Sequence, residues 1–315
     1  MKTHCSKTQS FASLGAEPRN AVDGGTVMGA QYGQLNPMGS VRDLEEVRLA
    51  RVGDAGAANN ASYAAQKDDV LDRHSSLDAF ASMLDGARPG TNVDAHKVLH
   101  YDRQQAVLDA RSLAIATANG DVDAGLAEFN ARSYSARREA FEDLWDAGRR
   151  FVYGAPNPGT LGARKYGDYC LIIDPATLTD ADTGVFPRDT AQTYTDSDAN
   201  VFADLAYREV GSWQARADVA LVHRGDEAVF LSDRERAELV CGADTYMEVI
   251  TVGPLGLDQV IILRVDADNW EEHSDLWWDW KEGRLSDPSD RAKAKAYDAL
   301  MGWADLEIET KDGDE

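Results

Sequence analysis

The chain has 315 residues, of which 43% are hydrophobic, and its formal net charge is −23. This length and apolar content are sufficient for a folded core, and they exclude a chain that is disordered throughout. The strongly acidic balance repels phosphate backbones, so we expect no nonspecific binding of nucleic acid.

Targeting and metal-binding patterns are weak. No apolar run approaches the ~20 residues that span a bilayer, and the N-terminus lacks the apolar core of a signal peptide. We therefore expect a cytoplasmic protein with no membrane contact, although export as an effector stays open.

The cysteines have no zinc-ligand spacing, and His96 and His100 lack the adjacent glutamate of the metalloprotease motif, so we expect no metal site.

Four segments differ in character along the chain. Residues 1–40 are rich in Gly, Ser, Asn and Gln and predict a flexible arm. Residues 41–150 show helical periodicity, and residues 86–90 are expected to break it. Residues 151–268 contain short apolar runs between turns, which predict an α+β domain, and residues 269–315 predict a tryptophan-rich helical tail.

Within the α+β segment, several apolar runs of four to six residues have the length of strands. Residues 224–226 are predicted to form a hairpin turn, and residues 198–210 a helix. The predicted strands are residues 170–173, 219–222, 228–231, 247–252 and 260–265.

Three motifs accompany these strands. Tyr166-Gly167-Asp168 precedes an apolar strand that Asp174-Pro175 ends, and the hydroxyl-rich run 193–197 follows a charged turn. Tyr246-Met247-Glu248-Val249 then leads to Gly253-Pro254-Leu255. A glutamate within a strand must be paired, solvated in a cleft, or catalytic.

In their order and spacing, over about residues 150–266, these motifs resemble the toxin-type ADP-ribosyltransferase-like domains of bacteria and phages. The resemblance implies an α+β fold whose mixed, split sheet binds NAD as a substrate. It also implies that ADP-ribose passes to a protein or another macromolecule, or that NAD is hydrolysed. Glu248 matches the family's catalytic glutamate, whose carboxylate stabilises the oxocarbenium-like centre formed when the nicotinamide–ribose bond breaks.

The resemblance also implies roles for residues that bind NAD. Thr193 and Thr195 match the family's hydroxyl-rich strand, and Arg164 is nearest to the place of its basic residue. Tyr153 and Tyr166 are expected to stack on the nicotinamide or the adenine. Arginine-modifying members carry Glu or Gln where this chain has Tyr246, which argues against arginine as the acceptor.

Other interpretations of the same residues stay open. Glu248 fits an ordinary ion-paired strand residue with Arg264 or Arg188 as its partner, and residues 193–197 fit a turn before a helix. The tyrosines also fit core or rim positions, where this residue type is more often found than in stacking on a ligand. The alternative function is a noncatalytic virion or scaffold component, and a further one is a toxin held inactive by an antitoxin or immunity partner.

Overall fold

A computed structural model of the chain describes residues 50–131, 135–242 and 244–313. The predicted arm 1–40 lies outside these residues. The described part has an α+β fold, which confirms the predicted class. Its α-helices are α1 Val52–Arg73, α2 Asp78–Asp85, α3 Ala95–Gln104, α4 Ala110–Thr117, α5 Val122–Asn130, α6 Ser135–Glu142, α7 Thr190–Thr193, α8 Ala203–Glu209, α9 Arg216–Ala228, α10 Asp233–Cys241, α11 Ala267–Lys281 and α12 Pro288–Gly302.

The strands form one mixed sheet and a two-stranded sheet of β2 and β8. They are β1 Arg88–Val93, β2 Ala106–Val107, β3 Phe151–Asn157, β4 Tyr169–Ile173, β5 Thr183–Phe186, β6 Gly211–Ser212, β7 Glu248–Val252, β8 Leu255–Gly256, β9 Val260–Asp266 and β10 Glu307–Lys311. The order in the mixed sheet is β10-β9-β4-β1-β3-β7-β5-β6. β10 runs parallel to β9, and the other neighbours are antiparallel. Both the predicted helical region 41–150 and the predicted tail 269–315 thus contribute a strand.

The mixed sheet divides along β3. Residues 155–157 of β3 pair with residues 88–90 of β1, whereas residues 151–154 pair with residues 249–252 of β7. From Gly90 onward, β1 stays in register with β4 on its other side. The first half of β3 and the second half of β1 therefore diverge, and a cleft opens between them.

Gly154 lies at the point of divergence and allows the two backbones to approach. A Cβ added to Gly154 would stand 2.5 Å from the carbonyl oxygen of Gly90. We expect Gly154→Ala to lower the free energy of unfolding by about 1–3 kcal/mol, because one backbone must shift. Urea unfolding measures this. Gly302→Ala is the control, since a Cβ there meets nothing within 4 Å; equal midpoints for the two variants would contradict the prediction.

Aspartate side chains cap the first turns of α3 and α4. Asp94 accepts a hydrogen bond from the Lys97 amide at the start of α3, and Asp109 accepts two from amides at the start of α4. Between them, Gln105 in the left-handed region ends α3 and leads into β2. Within the region of predicted helical periodicity, residues 95–117 thus form two helices, and residues 122–142 contain two more.

Two of the predicted strands are wrong. Residues 219–222 lie inside α9, and residues 228–231 begin at its last residue. Short apolar runs do not distinguish a strand from a buried helix by period alone. Here one face of α9 packs on α1 and α2, and Gly225, predicted in a hairpin turn, lies within this helix against Val70 and Leu77. The strands predicted at 170–173, 247–252 and 260–265 are confirmed as β4, β7 and β9.

The alternation of β7 assigns its side chains to two core clusters. Val249 belongs to the cluster under α9 and α10, whereas Ile250 belongs to an aromatic cluster on the opposite face. That aromatic cluster includes Phe141 of α6, whose ring lies 5.5 Å from that of Phe186. Because side chains alternate along a strand, Glu248 shares the face of Ile250, the face that α6 covers.

The tail carries tryptophans that pack between its helices. Trp270 and Trp277 of α11 both contact the ring of Tyr297 on α12, and Trp303 is buried. Trp278 is 57% exposed. Within the described residues, none of the helices combines the length and the apolar character required to cross a membrane.

Candidate active site

A cavity of about 280 Å³ lies in the cleft between the diverging halves of β1 and β3. Its walls come from both strands, from α3, α4 and α6, from the β3–β4 connection and from the start of β7. The polar and aromatic side chains that line it include Thr91, Asn92, Lys97, Tyr101, Asp109, Arg138, Tyr153, Tyr166, Tyr246 and Glu248. The predicted glutamate and both predicted tyrosines therefore line one cavity.

Glu248 is the first residue of β7 and is 4% exposed. Its Oε2 accepts two hydrogen bonds from Thr190: one from the backbone amide at 2.8 Å and one from the hydroxyl at 2.5 Å. Among the described residues, no hydrogen bond reaches its other oxygen, Oε1. One oxygen thus anchors the carboxylate to the start of α7, and the other is available to a ligand in the cavity.

The surroundings of Glu248 disfavour its charge. Burial, followed by the negative charge of Asp189, raises the pKa of Glu248 to about 7. The hydrogen bonds from Thr190 and the positive charge of Arg138 oppose this rise. A carboxyl with a pKa close to neutral changes its protonation in the range where acid–base and electrostatic catalysis operate.

Arg138 is a cationic residue of the cavity that the sequence did not indicate. It is three residues before Phe141 on α6, so its side chain lies on the helix face that covers the sheet. The guanidinium carbon is 4.3 Å from the centre of the Tyr153 ring. Its Nε is buried without a hydrogen-bond partner, and no described carboxylate forms an ion pair with it.

The electrostatic setting of Arg138 keeps it charged. Burial lowers the pKa of Arg138, but Tyr153, Glu248 and Glu142 together raise it above its ordinary value. A charged guanidinium without a paired carboxylate, next to a cavity, can bind an anionic ligand such as a phosphate.

Tyr153 is fixed at both ends of its side chain. Its hydroxyl donates to Oε1 of Glu142 at 2.9 Å, while Arg138 covers its ring. Glu142 is 3% exposed and also pairs with Arg111 at 2.7 Å. The Tyr153 ring is therefore held rigidly in the wall of the cavity.

Thr193 and Thr195 do not line the cavity. Thr193 ends the short helix α7 instead of lying on a strand, and Thr195 forms an isolated bridge with Val201. The Thr195 hydroxyl donates to the Ala191 carbonyl at 2.5 Å and accepts from Nε of Arg137 at 3.0 Å. The hydroxyl that contacts Glu248 belongs to Thr190, which the sequence analysis did not single out.

Arg164 lies at a different cavity from Glu248. Its guanidinium is 3.5 Å from a carboxylate oxygen of Asp266, and it lines a space of about 500 Å³ together with Arg234 and Thr245. The short helical turn 164–166 explains the separation, since it directs Arg164 and Tyr166 to different cavities. Although Arg164 is close to Tyr166 in the sequence, it does not line the cavity that contains Glu248.

One of the two proposed ion-pair partners of Glu248 is engaged elsewhere. Arg264 donates to Glu309 at 2.6 Å and to Asn157 at 3.0 Å, so it does not pair with Glu248. The described residues contain no group of three or more His, Cys, Asp or Glu side chains arranged to hold a metal ion.

Comparisons with known proteins add no further information about this site. Neither a protein-family model, nor a curated protein, nor a solved structure matches the chain.

Proposed function

We propose that the chain is an ADP-ribosyltransferase-like enzyme that cleaves the nicotinamide–ribose bond of NAD. The ADP-ribosyl group would pass to a macromolecule or to water. The observation that carries the proposal is the placement of Glu248, the glutamate singled out by the motif resemblance: it is buried at a cavity, and Thr190 holds only one of its carboxylate oxygens.

The side chains around the cavity suit the nicotinamide–ribose end of the substrate. With about 280 Å³, the cavity is close to the lower limit of ligand-sized pockets, so it favours a ring and a sugar over an entire dinucleotide. Tyr153 contributes an aromatic ring to the cavity wall. Oε1 of Glu248 would accept a hydrogen bond from a ribose hydroxyl, and the ionised carboxylate would stabilise the positive charge that develops on the sugar.

Arg138 would bind the diphosphate of NAD. It combines a positive charge, a position on the cavity wall and the lack of an ion-paired carboxylate among the described residues. Arg164 was the sequence-based choice for this role, but its place at another cavity argues for Arg138 instead.

Nicotinamide release from NAD by the purified chain tests the proposal, and two arginine variants test the site. We expect release by the wild type, with a KM for NAD that rises roughly tenfold to a hundredfold in Arg138→Met, the typical loss for one hydrogen bond to a charged group. Methionine keeps the apolar packing on Tyr153 while removing the charge.

Arg164→Met separates the two arginine assignments. We expect it to leave the KM for NAD at the wild-type value. A rise in KM in Arg164→Met alone would restore the sequence-based assignment, whereas a folded wild type that neither binds NAD nor releases nicotinamide would refute the proposed function. Circular dichroism of each variant confirms that it is folded.

A further inference from the structure

A chain of three side chains connects the mouth of the cavity to a carboxylate beside Glu248. The Tyr246 hydroxyl donates to Oδ2 of Asp189 at 2.6 Å, and the hydroxyls of Tyr246 and Tyr166 are 2.9 Å apart. Asp189 directly precedes Thr190, which holds Glu248. Tyr166 is 42% exposed, whereas Tyr246 is 8% exposed, so the chain runs from the solvent side inward.

The direction of these hydrogen bonds follows from the single proton that each phenol hydroxyl carries. A phenol has one hydroxyl proton, and that of Tyr246 is donated to Asp189. Tyr166 must therefore donate to Tyr246. The oxygen of Tyr166 then has lone pairs left for a donor outside the chain, so the outer end of the path accepts hydrogen bonds.

The charges around the path disfavour a phenolate at Tyr246, so the path ends at the Asp189 carboxylate to which Tyr246 donates. Burial, followed by the negative charge of Glu248, raises the pKa of Tyr246 well above its ordinary value, so a lasting phenolate there is unfavourable. Lys165 places its ammonium 5.1 Å from the centres of both phenol rings. This cation lowers the cost of negative charge that passes through the two oxygens during a proton shift.

We propose that Tyr166, Tyr246 and Asp189 remove the proton from the hydroxyl nucleophile that attacks the ribose, a role that rests on the proposed cleavage of NAD. The nucleophile's O–H proton moves to Tyr166, the Tyr166 proton to Tyr246, and the Tyr246 proton to Asp189. The electron pair left on the nucleophile's oxygen forms the new bond to the ribose carbon. The electron pair of the broken C–N bond leaves with nicotinamide, which departs as a neutral molecule.

The geometry also specifies the class of acceptor. The outer group is a neutral phenol oxygen, which accepts a hydrogen bond from a hydroxyl or from water, whereas a cationic guanidinium is better matched by a carboxylate. The acceptor at this site is therefore a hydroxyl-bearing molecule, and water is its simplest example.

Hydrolysis of NAD in the absence of any other acceptor tests the path. Tyr166→Phe keeps the ring but removes the hydroxyl, and we expect it to lower kcat about tenfold or more with an unchanged KM, within the usual contribution of proton transfer. Tyr207→Phe is the matched control, because it removes a phenol that donates to the Leu144 carbonyl outside the cavity. A kcat of Tyr166→Phe equal to that of this control would overturn the proposal.

Two further measurements separate proton transfer from a structural effect. The dependence of kcat on the D₂O fraction should curve in the wild type, because several protons move together, and should become linear in Tyr166→Phe. Asp189→Asn combined with Tyr166→Phe should lose no more activity than the worse single variant, since the residues act as one unit. A linear dependence in the wild type or additive losses would overturn the path while leaving NAD cleavage intact; absence of wild-type cleavage would remove both proposals.

Discussion

Glu248→Gln is expected to lower the kcat for NAD cleavage on the order of a hundredfold to a thousandfold, the typical cost of removing one preorganised electrostatic contact to a transition state. Glutamine has the same shape and still accepts the two hydrogen bonds from Thr190, so the fold of the site should persist. What is lost is the negative charge facing the cavity. Nicotinamide release, measured with saturating NAD, gives the effect on kcat.

The pH profile of the wild type provides a second test of the same role. Because burial and Asp189 raise the pKa of Glu248 to about 7, the carboxylate form is lost as pH falls through neutrality. We expect kcat/KM to decrease below about pH 7 in the wild type and to lose this dependence in Glu248→Gln. Glu238→Gln removes an exposed glutamate that pairs with Arg234, and it should keep the wild-type profile. Glu248→Gln with wild-type kcat would refute the catalytic role.

The sequence predicted the site residues that depend on local pattern. Glu248 stood out because it was a charged residue within a predicted apolar strand, and the structure places it at the first position of β7. Tyr166 precedes the predicted strand 170–173, whereas Tyr153 lies on β3, which is not among the predicted strands; both line the cavity. For Glu248 and Tyr166, a short sequence motif was enough to single out a side chain that lines the cavity.

Residues from distant segments could not be inferred in this way. Arg138 belongs to α6, and its proximity to Tyr153 depends on how that helix packs on the sheet. Neighbours on a helix point in different directions, so Arg137 contacts Thr195 while Arg138 lines the cavity. The sequence pattern that could have placed Arg138 facing the sheet was its spacing of three residues from the buried Phe141 on the same helix.

The sequence did not predict the central strand β1, for a related reason. Pro89 and Gly90 indicate a break in a helical region, and neither residue favours a strand. In the structure they lie where β1 meets the second half of β3, and Gly90 comes close to Gly154 where the strands diverge. A glycine that permits close approach of two backbones looks, in sequence, the same as one that ends a helix.

The same Glu248→Gln change is expected to stabilise the fold, by on the order of 2–3 kcal/mol at pH 8. In the wild type, the pKa of Glu248 is raised to about 7 in the folded state, above its ordinary value in the unfolded chain. Between these two values the folded state binds more protons, so the wild type loses stability from this group as pH rises. The uncharged glutamine avoids that loss.

The difference in unfolding free energy between the wild type and Glu248→Gln isolates this effect from the titration of the other acidic groups. We expect the free energies of unfolding in urea to converge as pH falls toward 5, where Glu248 is protonated in the folded state, and to separate by pH 8. A variant less stable than the wild type at both pH values would show that the charge of Glu248 is well compensated. A glutamate that lowers the stability of the fold and faces a cavity is expected where a residue is kept for catalysis and not for packing.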